Sequence, residues 1–102
     1  MMLAELNITM LGRGSHMSHD LAEILKIVDQ RGLPYRLTPL GTCIEGQWDE
    51  VMELIKECHA RARIMSQHVF TTIRIEDEEG AKDKISENVS AVERAVGHSL
   101  RT

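Results

Sequence analysis

The sequence predicts an α+β sandwich: a four-stranded antiparallel sheet in the order βαββαβ, two helices on one face, and an added C-terminal helix. Three observations carry this. Apolar residues alternate with a period of two near both ends of the chain, between Leu3 and Leu11 and again from Val69 to Glu76. Two intervening stretches, beginning near Leu21 and Trp48, repeat apolar residues at helical spacing. Between those helices, Pro39 and Gly41 make a turn that divides two short strands. A strand, a helix and a returning strand, used twice, is the split βαβ or ferredoxin-like arrangement.

Each element follows in order. Along Leu3–Leu11, Ala4, Leu6, Ile8 and Met10 fall on one face, and Glu5, Asn7 and Thr9 on the other. Gly12-Arg-Gly-Ser15 breaks the strand, and Gly14-Ser-His-Met17, though it resembles a tag scar, reads as native sequence. Ser18 is the expected N-cap of the first helix, with Asp20 and Glu23 in its first turn. Its apolar face is Leu21, Ile24, Leu25 and Val28, and Gly32 ends it. Leu33–Thr38 and Thr42–Glu45 are the second and third strands, with Pro34 suited to an edge or a strand's first residues and Gly46 as a breaker. Trp48, Val51, Met52, Ile55, His59 and Ala62 mark the second helix, with Asp49 and Glu50 in its first turn. In the fourth strand, Val69, Thr71, Ile73 and Ile75 oppose Phe70, Thr72, Arg74 and Glu76. Asp77-Glu-Glu-Gly80 is an acidic turn, and Ile85, Val89, Val92 and Val96 mark the last helix.

At 102 residues the chain is expected to form a single domain, residues 1–102. The only aromatics are Tyr35, Trp48 and Phe70, so the core must be aliphatic, and a small aliphatic core gains from oligomerisation. The formal net charge of −4 and scattered Lys and Arg argue against nucleic acid as a partner. No apolar run is long enough to span a bilayer, and the acidic N-terminus is not read as a signal peptide. Cys43 and Cys58 are expected as reduced thiols, which suits a cytoplasmic location.

Several ordered motifs resemble those of the small thiamine-binding protein family, over nearly the whole chain. They are the Ala4-Glu5 strand start, Leu11-Gly-Arg-Gly-Ser15, Gly32-Leu-Pro-Tyr35, Leu37-Thr-Pro-Leu-Gly-Thr42, Ile44-Glu-Gly46 and Thr71-Thr-Ile-Arg-Ile75. The resemblance implies a ferredoxin-like homo-oligomer, often a tetramer. It also implies binding of thiamine or its hydroxymethylpyrimidine part without known catalysis. The family's Thr-x-x-Glu-Gly stretch corresponds to Thr42-Cys-Ile-Glu-Gly46.

Thr42 and Glu45 are therefore the first candidate ligand residues. A hydroxyl can donate to a ring nitrogen, and a carboxylate can pair with a thiazolium or accept from an aminopyrimidine. In a strand, however, positions three apart point to opposite faces. The two can share one ligand only if the strand bends or subunits meet there. The plain structural alternative is that Thr42 completes the turn and Glu45 sits exposed before the helix. The open sheet face adds Asn7, Thr9 and Thr72 as candidate lining. Arg13 and Ser15, between strand and helix, could hold a phosphate, though an ordinary βα turn explains the same residues. The motif lacks the Lys-Ser/Thr ending of a nucleotide P-loop.

Other chemistry is weaker. His16-x-x-His19-Asp20 has workable metal spacing, but no further cluster completes a site, so no metal is expected. Cys58 and His59 are adjacent on a helix and point about 100° apart, which argues against a nucleophile pair. Cys43 is expected to pack internally as a small hydrophobe, and Lys82 and Lys84 to be solvated. The leading expectation is a cytoplasmic homo-oligomer, dimer or tetramer, that binds thiamine or a related pyrimidine non-enzymatically and uses no other cofactor. One alternative is an interaction or regulatory domain without a small-molecule ligand. Another is an enzyme acting on a phosphorylated substrate, with Arg13 and Ser15 as anion ligands and Glu45 or His16 as base.

Overall fold

The structure is a computed structural model that describes residues 1–102. Strand β1 is Met2–Met10, helix α1 Met17–Arg31, β2 Tyr35–Thr38, β3 Gly41–Gly46, α2 Trp48–Met65, β4 Val69–Asp77 and α3 Lys84–Val96. The sheet has the order β2-β3-β1-β4, with every neighbouring pair antiparallel. This is the ferredoxin-like sheet that the alternating strands predict.

The pairing register fixes what each face carries. Ala4 faces Ile44 and Ile75, and Leu6 faces Thr42 and Ile73. That set lies beneath α1 and α2. The core is aliphatic, as the scarcity of aromatics requires: Met2, Ala4, Leu6, Ile24, Val28, Ile44, Val51, Leu54, Ile55, Cys58 and Ala62 are all buried. Glu5, opposite Cys43 and Arg74, and Asn7, opposite Thr72, belong to the other face.

Several local expectations are corrected. Helix α1 begins at Met17, and His16 rather than Ser18 is its cap residue. The Asp20 amide donates to the His16 carbonyl at 3.0 Å, so Ser18 already lies inside the first turn. Gly32 does end α1, in the left-handed region at φ 83°. Strand β2 starts at Tyr35, two residues late, because Pro34 has no amide to pair; its carbonyl still accepts from the Glu45 amide at 2.9 Å. The buried stripe of α2 is Val51, Leu54, Ile55, Cys58 and Ala62, which leaves Trp48 exposed. Cys43 is half-exposed on the open face rather than internal, since its register partner is Glu5. Lys84 is not simply solvated: its ammonium pairs with Glu76 at 3.3 Å and with Glu78.

Helix α3 stands apart from this body. It contains no buried residue, and its principal contact is with β3. The radius of gyration is 14.9 Å, against about 13 Å for a compact chain of this length. Ile85 and Val89 are half-buried near its start, while Val92 and Val96 lie exposed beyond the body.

Candidate functional site

A cleft of about 290 Å³ opens where three elements meet. They are the C-terminal half of β1, the β2–β3 turn and the first turn of α1. Its apolar walls include Leu6, Met10, Met17, Leu37 and Leu40, and its polar members include Asn7, Thr9, Asp20, Thr38 and Thr42. The size is at the lower end of what small-ligand sites occupy.

The sequence shapes this cleft in a definite way. Strand β3 pairs with β1 only from Met2 to Leu6, whereas β4 follows β1 to Met10. The edge of Ile8, Thr9 and Met10 on the β3 side therefore has no strand partner. The β2–β3 turn, at Pro39 and Leu40, lies beside that edge and is pinned from both sides. Asn7 donates from Nδ2 to the Leu40 carbonyl at 2.6 Å, and Thr38 Oγ1 donates to the Gly41 carbonyl at 2.9 Å. Gly41 permits the close approach: a Cβ there would stand 3.2 Å from the Leu6 carbonyl oxygen.

Thr42 is 4% exposed and lines the cleft from the helix-covered face. Its hydroxyl makes no hydrogen bond within the chain, yet no buried side-chain polar atom lacks a partner, so the hydroxyl opens on the cleft. Asn7 and Thr9 also line it, but Asn7 is occupied in holding the turn, and Thr9 reaches the Asn7 side-chain oxygen only at 3.5 Å. Thr72 is opposite Asn7 on the open face and outside the cleft.

Glu45 is placed elsewhere. Its register partner is Leu3, and it lies on the open face, as strand geometry requires for a position three residues from Thr42. It is not exposed before the helix: α3 covers it, and only 2% of the residue is exposed. Its carboxylate accepts from the Lys84 amide at 2.7 Å and from the Ile85 amide at 3.3 Å. These are first-turn amides of α3, a helix with no side-chain cap of its own. Within one chain, Thr42 and Glu45 do not meet.

The Gly12–Ser15 turn is also reassigned. Arg13 donates from Nε to Asp20 Oδ2 at 2.7 Å and from Nη2 to Asp20 Oδ1 at 3.2 Å. This two-point pairing takes up one edge of the guanidinium, Nε and Nη2, and sets a carboxylate beside it. Ser15 is exposed on the turn. Asp20 itself is 4% exposed and lines the cleft, a placement that neither a first-turn acid nor a member of the His16-x-x-His19-Asp20 set predicts. The hydrogen bonds from Arg13 hold its carboxyl below the usual carboxylate range, against the opposing effect of burial. The readable signal was a lone Arg and a lone Asp flanking a glycine-rich turn.

The remaining candidates do not assemble. His16 and His19 are both exposed, and no group of three or more His, Cys, Asp or Glu side chains could hold one metal ion. Cys58 is buried in the core, and burial pushes its thiol up to about 11. His59 instead pairs through Nδ1 with Thr71 Oγ1 at 2.5 Å. No helix is long and apolar enough to cross a membrane.

Against this geometry stand the comparisons with known proteins. A family model described as thiamine-binding protein matches residues 4–93. A UPF0045 protein of Staphylococcus xylosus is 34% identical over 86 residues, covering 79% of this chain and 80% of its own. A solved structure of a hypothetical protein from Methanocaldococcus jannaschii superposes with a TM-score of 0.82 at 23% identity, over 89% of this chain and 94% of its own. A Thermotoga maritima protein, provisionally described as a thiamine biosynthesis/salvage protein, does so at 0.81 and 18% identity, over 89% and 97%. At such identities the two structures establish a shared fold.

Proposed function

We infer the function from one premise: this chain belongs to the thiamine-binding protein family. The reading is reversible, non-enzymatic binding of thiamine or its hydroxymethylpyrimidine part in the cleft between β1, the β2–β3 turn and α1. One observation carries it. Thr42 is a buried residue whose hydroxyl opens on the cleft and has no partner in the chain, as suits a polar group that waits for a ligand. The unpaired edge of Ile8 to Met10 adds backbone donors and acceptors beside it. The provisional description of the Thermotoga maritima neighbour supports the same ligand class. Isothermal titration of the protein with thiamine and with hydroxymethylpyrimidine tests this. Saturable heat with recovery of unchanged ligand is expected; no heat with either would end the reading, and turnover would convert it to an enzyme.

The same reading includes a homo-oligomer, dimer or tetramer, in the cytoplasm. The exposed Val92 and Val96 form an apolar stripe on a helix with no buried residue, and a second copy covers such a stripe by two-fold symmetry. Free Cys43 and Cys58 suit a reducing compartment. Sedimentation should show a species larger than one chain, and Val92→Glu should shift it toward the monomer. An unaltered monomer in both would remove the assembly. The exposed stripe also favours the second reading, an interaction domain, should no ligand bind.

A further inference from the structure

We propose that Asp20 is the specificity-determining residue of the cleft, and that it selects a neutral amino-substituted nitrogen heterocycle by accepting the ligand's exocyclic N–H. This rests on the cleft being the ligand site.

The argument begins with what Arg13 leaves over. A carboxylate offers about four lone-pair positions. The guanidinium takes one on each oxygen, at 2.7 and 3.2 Å. Arg13 is not part of the cleft lining, whereas Asp20 is, so the pair meets the cleft through its acidic partner. Two acceptor positions remain on a side chain that is only 6% exposed. Such a group loses water on burial and is left in need of donors.

Charge decides which donor. Arg13 neutralises Asp20 at contact distance, so the pair presents little net charge to a cation several ångströms away. A permanent thiazolium charge therefore gains little here. What survives neutralisation is directional hydrogen bonding, which rewards an N–H aimed at a lone pair. Asp20 stays an acceptor at neutral pH because Arg13 holds it ionised. A phosphate in the cleft has no cation to meet, since Arg13 lies outside the cleft lining and turns one edge, Nε and Nη2, to Asp20. The Thr42 hydroxyl, in the same cleft, can donate to a ring nitrogen of the same heterocycle.

Titration calorimetry on the intact protein separates these cases. Oxythiamine carries an oxygen where thiamine carries the pyrimidine amino group. Its affinity is expected to be about 10- to 100-fold weaker than that of thiamine, the range for loss of one hydrogen bond to a charged group. Hydroxymethylpyrimidine, which lacks the thiazolium, still binds, and thiamine diphosphate binds no tighter than thiamine. Asp20→Asn, whose amide both donates and accepts, narrows the gap between thiamine and oxythiamine. A melting curve of that variant shows whether it folds; the comparison on the unaltered protein decides the matter if it does not. Equal affinity for thiamine and oxythiamine overturns the proposal. Binding of thiamine without hydroxymethylpyrimidine overturns it too, by assigning the contact to the cation. No heat with any ligand removes the binding reading itself, and this inference with it.

Discussion

Two carboxylates are buried in this chain, and their surroundings differ in kind. Glu45 is 2% exposed and accepts from backbone amides thirty-nine and forty residues later, at the start of α3. Asp20 is 4% exposed and accepts from one side chain, Arg13, in the turn just before its own helix. The first fastens a helix that buries none of its residues. The second leaves acceptor capacity beside a cleft. Burial alone therefore does not mark a functional acid; what matters is which donors remain unmet once the fold has formed.

The sharpest way to break this contrast is Glu45→Ala. It leaves two α3 amides without their acceptor, at a cost of about 1–3 kcal/mol for a lost buried partner. Amide hydrogen exchange across residues 84–96 should accelerate while the cleft keeps its ligand affinity. Unchanged protection there would mean that α3 is held by something other than Glu45.

Arg13→Gln probes the other acid. The folded state depresses the ionisation of Asp20, so the pair stabilises the protein above the ordinary Asp value, about 3.9. That contribution is lost as pH falls through the depressed folded value. Without Arg13 that acid-sensitive contribution is absent, so the melting temperature falls by a few degrees near neutrality and the gap to the unaltered protein closes as pH falls. His16 and His19, which also act on Asp20 through their charge, remain in the variant. Melting curves from neutral to acid pH check this, and superimposable curves would show that Arg13 contributes nothing.

Thr42→Val is the smaller change, since it removes one hydroxyl at nearly constant volume. Affinity for thiamine should fall about two- to tenfold, the worth of one neutral hydrogen bond, with little change in melting temperature. Ser15→Ala should alter neither quantity, because Ser15 is exposed on the turn, lies outside the cleft lining, and the neighbouring Arg13 is paired with Asp20.

Much of the fold was legible because it depends on local periodicity. The alternation through β1 and β4 placed Ala4, Leu6 and Ile73 beneath the helices, and Gly32 ended α1 as expected. Periodicity also showed that Thr42 and Glu45 must diverge. It could not show what each would meet. The partner of Glu45 is backbone, and any sequence offers backbone amides. Asp20 looked like an ordinary first-turn acid because its pairing needs the Gly12–Ser15 turn to fold back across α1, which no spacing rule encodes. The face of α2 was misread at Trp48 for a related reason. The register of Leu54 and Cys58 against the sheet decides which side is buried, and the bulkiest residue does not.

The central claim is that ligand binding belongs to the Thr42 side of the sheet and that Glu45 belongs to the fold. Titration of thiamine into Thr42→Val and Glu45→Gln, side by side with the unaltered protein, tests it most directly. Weakened binding in Thr42→Val with unchanged binding in Glu45→Gln is the predicted result. The reverse pattern, with affinity lost at Glu45 and kept at Thr42, would contradict it.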